Sequence, residues 1–394
     1  MDHKKIFLLA LGHMSCDVNA HALPALLPYL VTAHGFDYQS CGLLAFAYAA
    51  ISSLIQPVLG LVSDRFACRW FIPLGVLIAG CSFGVTGFFS EYWLIFTALV
   101  LGGVGSALFH PEGARYANLV SGSQKGVGMS IFAVGGNMGM IVGPLFILLA
   151  VGGVHAGGMT VGGFGLPGTA VFAVWGFAMS VLIYGKMLSW PVSAGEKTKR
   201  SVQDDEGWND WHAFGILSGC ILARASVAMS FTTYVPLYWH SVFHQPEQVG
   251  SIVLIFFCGL CIVSNLAGGV LADRWGYIRV IRFSSFVLLA ATAIFPLITS
   301  PWLALLFLLP LAVAFFGPFS AIVVLGQRYL SRNMGLASGV TLGISVSLGG
   351  AFSPILGWVA DNFGGLSPAL FLFVPLSAIG AVCSCFLKDT LRKV

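Results

Sequence analysis

The chain runs to 394 residues, of which 57% are hydrophobic and only 9% charged, with a formal net charge of +4. A water-soluble domain devotes roughly a quarter of its residues to Asp, Glu, Lys and Arg, so a soluble globular fold is excluded. The small positive excess does not mark a nucleic-acid partner, because the basic residues keep to one set of loops. Polar or turn-rich breaks divide the chain into twelve apolar spans, at 5–31, 40–62, 71–89, 92–118, 126–153, 167–188, 211–240, 248–272, 280–299, 302–330, 334–360 and 367–387. Each approaches or exceeds the ~20 residues that cross a bilayer as a helix. The expected fold class is therefore an all-α integral membrane protein of twelve transmembrane helices. No small-residue cleavage site follows a short apolar core near Met1–Lys5, so the first span reads as a retained helix.

Lys4, Lys5, Arg65, Arg69, Lys125, the basic residues from Lys186 to Arg200, those from Arg274 to Arg282, Arg332 and the run from Lys388 to Lys393 fall on one side of the spans. Arg115 and Arg328 lie near helix ends on that side, and the opposite loops hold no Lys or Arg. The positive-inside rule then expects a multi-pass protein with both termini in the cytoplasm.

The first span carries His13, Asp17 and His21 within Leu11–Pro28. Steps of four residues advance about 40° around a helix, so the three share one face. A carboxylate inside a spanning helix costs at least ~2.5–3.5 kcal/mol and is normally turned to a bundle interior or aqueous cavity. Between the second and third spans stand Gln56, Gly60, Asp64, Arg65 and Arg69. Asp–Arg neighbours there either bridge cytoplasmic helix ends as a gate or merely set topology. Span four offers His110, Pro111, Glu112 and Arg115. His110 and Glu112 are candidates to line a substrate path or carry protons, and Arg115, nearer the cytoplasm, is a candidate gate partner for Asp64 or Asp273. Span five repeats small residues at Gly135, Gly139, Gly143 and Pro144, a pattern that lets helix backbones approach closely.

Ser189 to Asp210 mixes acidic and basic residues without periodicity, which reads as a cytoplasmic linker between a bundle at 1–188 and a second at 211–394. The halves repeat at a nearly constant offset: Gly60, Asp64 and Arg65 are matched by Gly269, Asp273 and Arg274; Gln56 by Asn265; Gly143-Pro144 by Ser353-Pro354; Arg115-Tyr116 by Arg328-Tyr329. This is an internal duplication of six spans. Arg224 is the one basic residue left in mid-span. It and Asp17 both lie ~18–20 Å from the cytoplasmic start of their helices, near the middle of a ~30 Å core.

The loop Gly60-x3-Asp64-Arg65-x3-Arg69, its copy in the second half and the duplicated layout resemble the major facilitator superfamily over the whole chain. Within it, GHMSCDVNAHALPALLP in span one and SALFHPEGARY in span four resemble the fosmidomycin resistance protein family. Gly135-x3-Gly139-x3-Gly143-Pro144 is similar to the motif associated with superfamily antiporters, and Gly349-x3-Ser353-Pro354 is a weaker version. The resemblance implies a proton-driven exporter of small molecules with spans one, four, seven and ten lining a cavity, so that Asp17 and Arg224 face each other across it. The expectation is then a monomeric secondary transporter, not an enzyme, with protons and a small, even anionic, substrate as partners, and with a proton gradient in place of any cofactor. Asp17 and Glu112 are the coupling candidates; His13, Asp17, His21, His110 and Arg224 the substrate-binding ones. Gln56, Asp64, Arg65, Arg69, Arg115, Asn265, Asp273, Arg274 and Arg328 are the gating set. Gly135, Gly139, Gly143, Pro144 and Pro354 are the packing set.

Proton-coupled uptake of an organic anion remains an alternative. A metal-ion transporter is a further one, because His13, Asp17, His21 and His110 are first-row metal ligand types. No tetrahedral set is visible in the sequence, however, and no metal site is expected. Enzymatic chemistry would want a nucleophile with its base, and none stands out. The nine cysteines lie nearly all within spans and form no disulfide framework. Cys258-x2-Cys261 reads as helix packing. Tyr92-Trp93, Trp239 and Trp302 fit interfacial belts.

Overall fold

The computed structural model describes residues 1–66, 68–156, 159–188, 190 and 209–388. The side chains of Asp64 and Arg65 and nearly all of the expected linker lie outside the described part. The first half contributes α1 (His3–His34), α2 (Tyr38–Phe66), α3 (Phe71–Gly84), α4 (Tyr92–Val120), α5 (Lys125–Phe146) and α6 (Ala170–Met187). The second contributes α7 (Trp211–Ser241), α8 (Glu247–Trp275), α9 (Tyr277–Ile294), α10 (Pro301–Phe316), α11 (Phe319–Tyr329), α12 (Met334–Ser338), α13 (Ser345–Gly350), α14 (Phe352–Asn362), α15 (Leu366–Ala369) and α16 (Phe373–Cys385). A two-stranded ribbon, Val154–Ala156 against Met159–Val161, stands between α5 and α6.

Eleven stretches among the described residues are long and apolar enough to cross a membrane, and α10 with α11 form one of them. The expected span at 334–360 differs: α12, a π-helical turn at Gly339–Ile344, α13 and α14 share it. The sequence MGLASGVTLGISVSLGGAFSP explains the breaks, since glycines weaken a continuous i→i−4 ladder and π turns occur where it is interrupted.

α1 begins at Asp2, whose carboxylate accepts the Lys5 N–H at 3.2 Å, and ends at Gly35, whose φ of 69° admits the left-handed cap. The chain divides into two compact units. One is Met1–Phe36 with the chain from Ala47 to the linker; the other is Asp37–Phe46 with the chain beyond the linker. Assigning 37–46 to the second unit departs from a bundle that keeps 1–188 together. The cause is local. The Asp361 carboxylate accepts the backbone N–H of Tyr38 at 2.9 Å and of Gln39 at 2.8 Å, capping α2. The Tyr234 hydroxyl lies 2.7 Å from the Tyr38 carbonyl oxygen and 2.9 Å from that of Ser353, its one hydrogen shared between them. Gly42 lets this happen, because a Cβ there would sit 2.7 Å from the Ser353 carbonyl carbon.

The duplicated glycines do the same work in each unit. A Cβ at Gly135 would meet the Ala10 carbonyl oxygen at 2.1 Å, and one at Gly143 the Val18 carbonyl oxygen at 2.4 Å, so α5 lies backbone to backbone on α1. A Cβ at Gly349 would meet Ala225 at 2.7 Å, bringing α13 equally close to α7. Ser353 is buried and its hydroxyl meets that of Ser230 at 3.1 Å, while Pro354 is partly buried and Pro144 buried. In lipid, where no hydrophobic force draws helices together, such close backbone packing is what fixes a helix pair.

Candidate functional site

The first unit gathers His13, Asp17 and His110 around one carboxylate. His13 Nε2 lies 3.2 Å from Asp17 Oδ2, the expected one-turn neighbour on α1, and His110 Nε2 reaches in from α4 to 3.0 Å from Oδ1. Their side chains are 13, 20 and 25% exposed, so the cluster lies at a wall and not inside a sealed core. His13 stacks on Phe132 with ring centres 4.2 Å apart, and its Nδ1 lies 2.8 Å from the Phe132 carbonyl oxygen. Phe109 stacks more loosely on it at 5.9 Å. His110 Nδ1 lies 2.8 Å from the Ser106 carbonyl oxygen, one turn back on its own helix. A carbonyl can only accept, so both Nδ1 atoms carry the proton and donate.

A polar string leads away from the cluster. The Ser106 hydroxyl is 3.2 Å from His110 Nδ1 and accepts from the Ser52 hydroxyl at 2.9 Å; Gln56 donates to Ser52 at 3.4 Å. Gln56, expected at the gate, thus ends a chain that starts at Asp17. The remaining flank is glycine. A Cβ at Gly136 would sit 2.6 Å from His13 Cε1, 2.7 Å from His13 Nε2 and 2.9 Å from Asp17 Oδ2, and one at Gly139 would sit 3.0 Å from Asp17 Cβ. Gly136, Ser52, Ser106 and Phe132 were not singled out from sequence. Ser106 precedes His110 by one helical turn, and Gly136 adjoins the Gly135 stripe; those were the signals.

The other expected residues are placed as follows. His21 is partly buried one turn beyond Asp17 and forms no ion pair with it among the described contacts. Glu112 is fully buried, and Arg115 on the next turn embraces it, Nε to Oε2 at 3.0 Å and Nη2 to Oε1 at 2.5 Å. Among the described contacts the pair lies on one helix and is not joined to the Asp17 cluster. Arg69 donates to the Trp190 carbonyl at 3.5 Å and lies over the Trp70 ring. Arg328 lies over the Tyr277 ring at 4.5 Å, and the Tyr277 hydroxyl donates to Asp273 at 3.3 Å, so these two expected gate residues are joined through a tyrosine. Asn265 is partly buried and Arg274 exposed. Arg224 differs most from expectation. Its guanidinium lies inside the second unit, in a crevice lined by Cys220, Ser284, Ser285 and Ser377, and donates to the Phe315 carbonyl. Its Nε is buried without a hydrogen-bond acceptor.

The profile of the Major Facilitator Superfamily matches residues 9–354. The chain belongs to the Major Facilitator Superfamily. It is a multi-pass membrane transporter and not an enzyme. It is 26% identical over 392 residues to the fosmidomycin resistance protein of Escherichia coli K12, covering 98% of this chain and 93% of that one. It is also 26% identical over 398 residues to the uncharacterized MFS-type transporter YfnC of Bacillus subtilis 168, with the same coverage. Among solved structures it matches a bacterial homologue of the human lysosomal transporter Spinster with a TM-score of 0.78 at 14% identity, over 98% of this chain and 94% of that chain. That likeness carries the fold; the chemistry rests on the residues above.

Proposed function

We propose that this transporter is a proton-coupled antiporter of the bacterial cytoplasmic membrane. It exports small drugs or metabolites, with fosmidomycin-like anions among them, working as a monomer by alternating access with both termini in the cytoplasm. The observation that carries this reading is the Asp17 carboxylate, bracketed in mid-span by two imidazoles and still partly exposed. A carboxylate and two histidines in one cluster are proton-binding groups, and intramembrane chains of such residues serve as proton relays. The name of the Escherichia coli relative supports the substrate class.

In this mechanism a proton from the outer side neutralises Asp17, and substrate from the cytoplasm competes for the same cluster. Because the two are not held together, each crossing exchanges one for the other, and the proton gradient supplies the work. Asp17 leads the coupling role. Glu112 is second to it, since its carboxylate is already matched by Arg115. His13 and His110 meet substrate. Arg224 would act on an anion only after leaving the Phe315 carbonyl.

The deciding experiment reconstitutes the protein in proteoliposomes and imposes a pH gradient with fosmidomycin as probe. Asp17→Asn keeps the size and hydrogen-bonding reach of the side chain and removes its titration. Gradient-driven exchange by the wild type and only gradient-independent flux by Asp17→Asn is the expected result. Coupled exchange that survives in Asp17→Asn sinks the assignment, and movement of probe in the same direction as protons would make the protein an uptake system.

A further inference from the structure

We infer that His13, Asp17 and His110 form a binding site for a first-row divalent transition-metal ion of the zinc class. The donor atoms of the three residues lie within 4.8 Å of one another. A tetrahedral site with bonds of ~2.0–2.1 Å has ligand atoms ~3.3 Å apart. His13 Nε2 lies 3.2 Å from Asp17 Oδ2 and His110 Nε2 3.0 Å from Oδ1, close to that spacing, so a metal ion between the two imidazoles would be met by both carboxylate oxygens or, after rotation of the carboxylate, by one of them.

Hydrogen bonding decides what those nitrogens present. Each imidazole gives its Nδ1–H to a backbone carbonyl, of Phe132 for His13 and of Ser106 for His110. Each Nε2 therefore faces the carboxylate, and the 3.0–3.2 Å between them is spanned either by the proton of an imidazolium or, with the imidazoles neutral, by a metal ion that takes that proton's place. A metal-ligating histidine commonly donates its far N–H to a carbonyl, as both do here, because the carbonyl fixes tautomer and ring direction. Stacking on Phe132 holds the His13 plane in addition. Gly136 closes the flank beside His13 Nε2 and Asp17 Oδ2 with bare backbone, where any other residue would place a Cβ under 3.0 Å from both. Two neutral imidazoles and one carboxylate suit zinc, cobalt or nickel better than calcium or magnesium, which want more oxygens. Three protein ligands leave a fourth position for water or an anionic group.

The site stands on donor geometry and not on the transport reading, and its test reads binding alone. Full-length protein without a histidine tag, in detergent, is equilibrated with zinc and then with cobalt, and metal content and the visible spectrum of bound cobalt are recorded. The wild type is expected to hold one ion in a site without the thiolate-to-cobalt charge-transfer band that cysteine ligands give. Asp17→Asn and His110→Ala are each expected to weaken binding at least ~tenfold, a loss at least as large as that from removing an outer-shell partner. His212→Gln, at the exposed start of α7, is expected to bind as the wild type. The inference falls if the wild type holds no ion, if cobalt shows the thiolate band, or if both ligand variants bind unchanged. The wild-type measurements decide it even if a variant fails to fold. Loss of coupled exchange in Asp17→Asn without loss of metal binding also overturns this inference while leaving the transport reading intact.

Discussion

Replacing Gly136 by alanine adds one methyl group at the point where the site has least room. The new Cβ would lie 2.6 Å from His13 Cε1, 2.7 Å from His13 Nε2 and 2.9 Å from Asp17 Oδ2, all inside normal van der Waals contact. The histidine ring cannot swing aside freely. Doing so gives up the Nδ1 bond to the Phe132 carbonyl, about 0.5–1.5 kcal/mol net, and the stacking on Phe132, about 0.5–1.5 kcal/mol. Shifting α5 instead works against Gly135 and Gly143, which already touch the α1 backbone. Overpacking of this kind costs about 1–3 kcal/mol. Expressed in the transport barrier, at tenfold per ~1.4 kcal/mol, that is a roughly five- to hundredfold slower exchange. The assay is pH-gradient-driven exchange in proteoliposomes beside thermal unfolding in detergent. Gly126→Ala, on the same helix with nothing within 4 Å of its Cβ, is the control, expected to be neutral or to stabilise by up to about 1 kcal/mol. Wild-type exchange by Gly136→Ala would refute the claim that this flank is closed to any side chain.

Three further outcomes follow from particular contacts. Arg115→Ala strands the fully buried Glu112 and should destabilise the first unit by about 3–5 kcal/mol, whereas replacing both with apolar residues of similar volume should recover most of it; equal unfolding of the single and double variants would contradict this. Asp361→Ala removes the acceptor that caps α2 and should cost about 1–2 kcal/mol, seen as faster amide exchange at Tyr38 and Gln39; unchanged protection there would mean the cap contributes nothing. The Asp2 carboxyl is held below its ordinary value by its hydrogen bond to the Lys5 side chain, so its contribution is full above the usual carboxylate range and fades as pH falls through the lowered value. Acid should therefore loosen the first turn of α1 in the wild type, and Asp2→Asn should lose that pH dependence; exchange rates at Lys5 with identical acid response in both proteins would count against it.

Much of the architecture was written in one-dimensional features. Hydropathy length, the one-sided placement of Lys and Arg, and repeated Asp–Arg and Gly–Pro landmarks are properties of the chain itself, and lipid leaves the backbone few options but helices. The pairing of His13 with Asp17 was also legible, because helical spacing alone puts residues four apart on one face. Sequence determined that an acid would stand in mid-span and that histidines were available to it. Tertiary structure decided which histidine on α4 reaches it, that Glu112 is taken by Arg115, and that Arg224 is turned into its own unit toward the Phe315 carbonyl. It also decided that Gly136 must lack a side chain, and that the start of α2 belongs with Asp361. These depend on the azimuth of one helix against another. That azimuth is set by where two backbones can touch, here at Gly135 and Gly143 on α1, and a sequence spells out the glycines without saying which carbonyl they will rest on.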